Sequence, residues 1–136
     1  MFEANCAWLC ARLDRADCVD LLRATLEPYA DQLIVTAFAG NLTGTVALYL
    51  AMLATAIGDW PDAEARFAAA AATHERVRAP QWLARTRLEW ARMLQKRGEP
   101  EDRQRAGALL GAARAAASEL GLAAMEREAA ELLAKS

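Results

Sequence analysis

The sequence has few of the side chains that catalytic and metal sites require. It contains one histidine, His74, and three cysteines, Cys6, Cys10 and Cys18. His74 has no evident partner set for acid–base chemistry, which favours a surface position on a helix. Cys6 and Cys10 are one helical turn apart, but zinc sites use four ligands, so small buried thiols in helix packing are preferred over a metal site. We therefore expect no catalytic residues, no metal and no cofactor.

The chain also lacks an excess of either charge. Its formal net charge is -2 over 136 residues. A general nucleic-acid binder needs a basic excess to neutralise phosphates, so no direct nucleic-acid partner is expected. The odd number of cysteines, and the absence of a secretory leader in residues 1–10, predict a reduced, cytoplasmic protein.

Charged residues are missing altogether between Gln32 and Gly58. A transmembrane helix needs about 20 consecutive apolar residues. Here Gly40, Asn41 and Gly44 interrupt the stretch, and its helical half, residues 45–57, is short for a membrane span. We prefer a helix buried on most sides within a stack of helices to a membrane segment.

Alanine, by contrast, is abundant and accounts for 34 of the 136 residues. It is the best helix former and lets neighbouring helices approach closely, whereas strand-forming residues are sparse. Hydrophobic residues make up 55% of the chain and charged residues 25%, which is a globular composition. The composition predicts an all-α protein with a single domain over residues 1–136.

Glycine and proline divide the chain into about seven helices. We predict helices at about residues 3–13, 17–29, 45–57, 60–78, 80–98, 100–121 and 122–134. Residues 30–44 are the least regular part, and Leu33, Ile34 and Val35 within them could be extended. Gly121 is predicted to end its helix in a left-handed conformation.

The helices form pairs in which small and apolar residues recur. The middle pair has the spacing of a tetratricopeptide repeat, in which small residues let two helices cross closely. Its residues are Leu50, Ala51, Ala54, Gly58, Trp60, Ala63, Phe67 and Ala70. A later copy has Ala91, Leu94, Gly98, Ala106, Leu110 and Ala113, and a worn earlier copy has Ala7, Cys10, Asp14, Val19 and Leu26. The pattern predicts an α-solenoid of about three antiparallel helix pairs.

Residues 44–98 and 106–122 resemble the C-terminal helical-repeat region of large bacterial signalling ATPases. Some of those proteins carry LuxR-type DNA-binding domains and others carry nucleotide-cyclase domains. The resemblance covers residues 2–125 and implies a superhelix that binds a partner and regulates attached domains. The 136 residues contain neither the catalytic nor the DNA-binding part of those proteins, so we expect either an excised piece or a short stand-alone relative. Residues 40–45 lack the Gly-Lys-Ser/Thr of a phosphate loop.

In tetratricopeptide modules the first helix of each pair lines a concave groove, and the resemblance implies such a groove here. The middle repeat would present Thr45, Leu48, Met52 and Thr55, and the next repeat Arg85, Leu88, Arg92, Gln95 and Lys96. The basic half could clamp an acidic peptide or a C-terminal carboxylate through charge-assisted hydrogen bonds. The alternative is that Arg85, Arg92 and Lys96 form an ordinary solvated helix face.

These observations favour a non-catalytic protein–protein interaction and regulatory module. The resemblance makes it the sensing or scaffold part of a bacterial signal-transduction or transcription-regulatory ATPase. The alternative is a small-molecule sensor that uses the helical groove, and an enzyme is the weakest hypothesis. The N-terminal helix, with Cys6, Trp8, Leu9 and Leu13, is not strongly polar, so we also predict a homodimer formed through the exposed repeat ends.

Overall fold

The computed structural model describes residues 2–12, 16–36 and 41–135. Its elements, in chain order, are α1 (Phe2–Arg12), α2 (Val19–Leu26), β1 (Leu33–Thr36), β2 (Asn41–Thr45), α3 (Val46–Ala56), α4 (Trp60–Arg76), α5 (Pro80–Arg97), α6 (Asp102–Glu119) and α7 (Ala123–Ala134). Single 3-10 turns, Ala16–Cys18 and Glu27–Tyr29, flank α2. The described part of the chain is mostly helical, as predicted. The predictions above also named residues that lie outside the described ranges, namely Leu13, Asp14 and Gly40.

Strands β1 and β2 form a two-stranded antiparallel sheet. Leu33 pairs with Thr45 and Thr36 with Asn41, with an irregularity in register between Leu33 and Val35. The extended conformation predicted for residues 33–35 is therefore confirmed. The hairpin leads directly into α3, because Thr45 ends β2 and caps the helix with its hydroxyl, which accepts the backbone N–H of Leu48 at 3.2 Å.

Helices α3, α4, α5 and α6 are each followed by a left-handed residue. Gly58, Gly98 and Gly121 follow α3, α5 and α6 with φ of 74°, 74° and 70°. Glycine adopts this conformation without the steric cost that a Cβ atom brings, so the predicted end at Gly121 is confirmed. Arg78 takes the corresponding place after α4 with φ of 54°. There the backbone N–H groups of Arg78 and Ala79 donate to the carbonyls of Glu75 and His74.

The chain groups into two compact units, Met1–Thr73 and His74–Ser136, with the boundary inside α4. In the first unit, α1 packs on α3 and α2. Its core contains Ala7, Val19, Leu26, Val46, Tyr49, Leu50 and Leu53. Nine of the eleven residues of α3 are buried, as expected for a helix enclosed by other parts of a protein. Within the described ranges, no helix is long and apolar enough to cross a membrane.

Ion pairs join α2 to α4 within the first unit. Arg23 donates to Asp62 at 2.9 Å, and Arg66 donates to Glu27 at 2.6 Å. Arg66 also contacts Asp62 on its own helix at 3.2 Å, which connects the two pairs into one network. These partly exposed contacts fix the position of α2 against the first half of α4, and each contributes modestly.

In the second unit, α6 packs on both α5 and α7, and α5 also contacts α7. The buried apolar residues of α6 recur at intervals of three and four, which places them on one side of the helix. They are Ala106, Leu110, Ala113 and Ala117. Because three of the four are alanines, the helix axes can approach closely, as the sequence pattern predicted for small residues.

Candidate functional site on the charged face of α5 and α7

Two arginines of α5 converge on one carboxylate of α7. Arg85 donates to Glu128 at 2.6 Å and Arg92 donates to the other oxygen of Glu128 at 2.9 Å. The arginines are seven residues apart, about two helical turns, so both guanidinium groups project from the same side of α5. We call Arg85, Glu89, Arg92 and Glu128 the charged face.

Glu89 is the fourth member of this face and lies between the two arginines on α5. Its side chain is only 5% exposed, and it lies 3.5 Å from Arg85 and 3.8 Å from Arg92. Two guanidinium groups therefore face two carboxylates, and the formal charges cancel. The face is not the basic wall that the sequence predicted, because α7 brings Glu128 to it.

One donor on the charged face remains unsatisfied. The Nε atom of Arg92 is buried and has no hydrogen-bond partner in the described ranges, since its distance of 3.8 Å to Glu89 is too long for one. Buried donors in native proteins are usually paired. The side chains of Arg85, Arg92 and Glu128 are nevertheless 25%, 30% and 28% exposed, so other groups can reach them from solvent.

Gln95 and Lys96 continue this side of α5 toward its C-terminal end. The side-chain amide of Gln95 donates to the carbonyl of Leu132 in the last turn of α7 at 3.1 Å. That contact satisfies one of the carbonyls that a helix end leaves without an intrahelical donor. Lys96 is exposed. Arg85, Arg92 and Gln95 are thus brought together, but chiefly as contacts that hold α7 on α5.

The apolar half of the predicted groove needs correction. Thr45, Leu48 and Met52 are 2%, 1% and 4% exposed, and Leu88 is fully buried. A partner cannot touch such side chains without opening the protein. Thr45 acts as a helix cap and the other three as core residues, because α3 is enclosed rather than open on one face. Thr55 is partly buried, and its hydroxyl donates to the carbonyl of Ala51 at 2.8 Å.

His74 is buried. The surface position that the sequence favoured is therefore wrong. The Nδ1 atom of His74 lies 3.0 Å from the hydroxyl of Thr86, and that hydroxyl donates its only proton to the carbonyl of Trp82 at 2.8 Å. Nδ1 must therefore carry a proton and donate to Thr86, which leaves Nε2 as an acceptor. Nε2 has no partner. Burial lowers the pKa of His74 from 6.5 to about 4, so the ring is neutral at pH 7.

The cysteines also differ from expectation. Cys10 and Cys18 form a disulfide across eight residues of sequence, which links α1 to the turn before α2. The expectation of three reduced thiols therefore holds only for Cys6, which is partly buried. No group of three or more His, Cys, Asp or Glu side chains placed to hold a metal occurs in the described part of the chain.

The first residue of α6, Asp102, is a buried carboxylate beside the turn between α5 and α6. Asp102 is 2% exposed and accepts two hydrogen bonds from Arg97, at 2.8 and 2.6 Å, and one from the backbone N–H of Glu99 at 3.0 Å. The bonds from Arg97 hold the pKa of Asp102 below its ordinary value. The carboxylate therefore fixes this turn, beside which a cleft opens.

Sequence reasoning missed both Glu128 as a partner of α5 and the cleft at the α5–α6 turn. The sequence around Glu128 is typical of an ordinary exposed helix position. No local pattern connects Glu128 to Arg92 and Arg85, which lie 36 and 43 positions earlier. The cleft lies between Gly98 and Ala106 of the later repeat copy, where the sequence shows no pattern that indicates a site.

Comparison with protein-family models, curated proteins and solved structures finds no match to this chain. The fold and site therefore rest on the residues and contacts described above.

Proposed function

We propose that this chain is a non-catalytic protein–protein interaction and regulatory module of tetratricopeptide-like helix pairs. Two features support the repeat architecture. Left-handed residues 58, 78, 98 and 121 separate successive helices at similar intervals. In addition, α6 packs on α5 and α7 while α5 contacts α7, as expected for one helix pair followed by the first helix of the next.

The observation that carries the proposal is that Arg85 and Arg92 both donate hydrogen bonds to the carboxylate of Glu128. Both arginines are partly exposed and already positioned to hold a carboxylate. An acidic segment of a partner could replace Glu128 and accept the same charge-assisted hydrogen bonds. In this proposal Glu128 competes with the partner and so limits its affinity.

The resemblance to helical-repeat regions of bacterial signalling ATPases suggests what kind of partner to expect. It would be an attached or separate regulatory domain, in a signal-transduction or transcription-regulatory protein in the cytoplasm. Such interactions use exposed, partly polar surfaces and are often reversible. The charged face has that character, since its side chains are already arranged but remain accessible.

The test measures binding of peptides that carry increasing numbers of acidic residues, at low and high salt. We expect affinity to rise with acidic content and to fall with salt. Glu128→Gln should strengthen binding roughly fivefold, because it removes the internal competitor, whereas Arg85→Gln with Arg92→Gln should abolish it. Glu131→Gln, an exposed change on the same helix, serves as the matched control. Binding that is unchanged in both variants would refute the proposal.

A second candidate function is the sensing of a small ligand. The cleft beside the α5–α6 turn favours it, because its volume of about 510 Å³ lies within the range of about 300–1,000 Å³ typical of ligand sites.

A further inference from the structure

The cleft is formed by the end of α5, the turn that follows and the end of α7. Gly98 and Pro100 are exposed and contribute apolar surface to its wall, and Gln95 borders it from the side of the charged face. Its charged lining residues are Glu99, Asp102, Arg103 and Lys135. The lining residues that the structure describes all belong to the second unit.

The positive charges of the cleft differ from those of the charged face in their partners. Arg85, Arg92 and Arg97 are each held by carboxylates at distances below 3 Å. Arg103 and Lys135 are exposed and form no ion pair within the described residues. They are therefore the cationic side chains of this cleft that can accept an anion without breaking an internal contact.

The charge balance of the cleft limits which anion fits. Asp102 is neutralised by Arg97 and accepts the backbone N–H of Glu99, so this carboxylate, not a ligand, occupies the start of α6. Glu99 then opposes Arg103 and Lys135, which leaves one net positive charge. A single carboxylate matches that balance, whereas a polyanion would meet Glu99 without enough compensating charge.

From these features we propose that the cleft binds an organic monocarboxylate. Arg103 and Lys135 hold the carboxylate, and the exposed ring of Pro100 contacts the body of the ligand. The same chemistry is offered by a free carboxylic acid and by the C-terminal residue of a peptide. The inference rests on the second candidate function and gives its ligand a chemical class.

The experiment records amide chemical shifts of the isotopically labelled chain during titration with two panels. One panel contains aliphatic and aromatic monocarboxylic acids, each paired with its primary amide. The other contains short peptides with a free C-terminal carboxylate, each paired with its C-terminal amide. We expect acids from at least one panel to shift the signals of Gln95, Gly98 and Glu99, and their amides to bind at least about tenfold more weakly.

Two double variants test the assignment of the cationic residues. Arg103→Glu with Lys135→Glu should weaken acid binding by at least about tenfold. The matched control, Arg114→Glu with Arg127→Glu, changes exposed arginines on α6 and α7 outside the cleft and should leave affinity within about twofold. Equal loss in both pairs would overturn the assignment, because it would show a general effect of net charge.

The panels separate the possible outcomes. Shifts from free acids alone identify a small-ligand site, and shifts from peptide acids alone identify a site for chain termini; both support the inference. Amides that bind as tightly as their acids would overturn the carboxylate assignment while the sensing function stands. If no member of either panel shifts signals in the cleft, both the carboxylate assignment and the sensing function are rejected.

Discussion

At the scale of single residues, the buried imidazole of His74 makes the stability of the protein depend on pH. Its Nδ1–H is committed to Thr86, so an added proton would go to Nε2, which has no acceptor. The folded protein therefore binds this proton only near pH 4, whereas the unfolded chain binds it near pH 6.5. Between those values the unfolded state holds more protons, so stability must fall as the pH falls.

We predict that this histidine costs on the order of 3 kcal/mol of stability between pH 6.5 and pH 4. The measurement is urea unfolding followed by circular dichroism across that range, for the wild-type chain and for His74→Gln. Carboxylates such as Asp102 also lose stabilising contacts in acid, but they do so equally in both proteins. The difference between the two pH profiles isolates His74, and identical profiles would contradict the prediction.

At the scale of elements, helix ends show where local sequence is decisive. Three of the four left-handed residues that separate α3, α4, α5, α6 and α7 are glycines, and the fourth is Arg78. A side chain in this conformation costs about 1 kcal/mol relative to glycine. Arg78 is exposed and has no ion pair in the part of the chain that the structure describes, so its side chain offers little compensation.

Arg78→Gly should therefore raise the free energy of unfolding by up to about 1 kcal/mol, less the entropy gained by the unfolded chain. Gly98→Ala is the matched opposite change, expected to lower it by about 1 kcal/mol. A Cβ atom at Gly98 would meet nothing within 4 Å, so only backbone strain is tested. Denaturant unfolding of both variants tests the two expectations. If Arg78→Gly lowered the free energy of unfolding, the Arg78 side chain would make a contact that stabilises the protein by more than the backbone strain costs.

The same elements show what sequence could and could not provide. Boundaries of α3 to α7 were predictable because glycine, proline and helix formers act locally. The partners of Arg85 and Arg92 were not, because Glu128 reaches them only when α7 folds back onto α5. His74 was misplaced for a related reason, since its neighbours Glu75 and Arg76 are exposed while Thr86 of α5 covers its ring. Pairing between distant elements, rather than helix formation, decided which predicted site residues remained accessible.

At the scale of the whole molecule, the first unit exposes apolar side chains that the second half of the chain largely avoids. Trp8, Leu9 and Leu21 are 39%, 51% and 72% exposed, on α1 and α2. Exposed apolar residues on neighbouring helices are typical of association surfaces. The predicted homodimer remains a prediction, and these residues are where it can be tested.

Light scattering coupled to size-exclusion chromatography, over a concentration series, should give a mass that rises toward a dimer. Leu9→Glu with Leu21→Glu should return the monomer mass, because each change places a charge in the buried contact. Leu120→Glu, at an apolar residue of the second unit that is 43% exposed, is the control and should leave the mass unchanged. A wild-type monomer at every concentration would dismiss the homodimer.

The spacing of the left-handed turns also bears on how such a gene can change length. Gly58 and Gly98 are 40 residues apart and share the same φ of 74°. A duplication or deletion of the codons between them would join one left-handed glycine to the backbone that normally follows the other. The local conformation at the junction would be preserved while a whole pair of helices was gained or lost. Lineages that carry this chain could therefore vary in steps of helix pairs, with the new sequence free to acquire its own specificity.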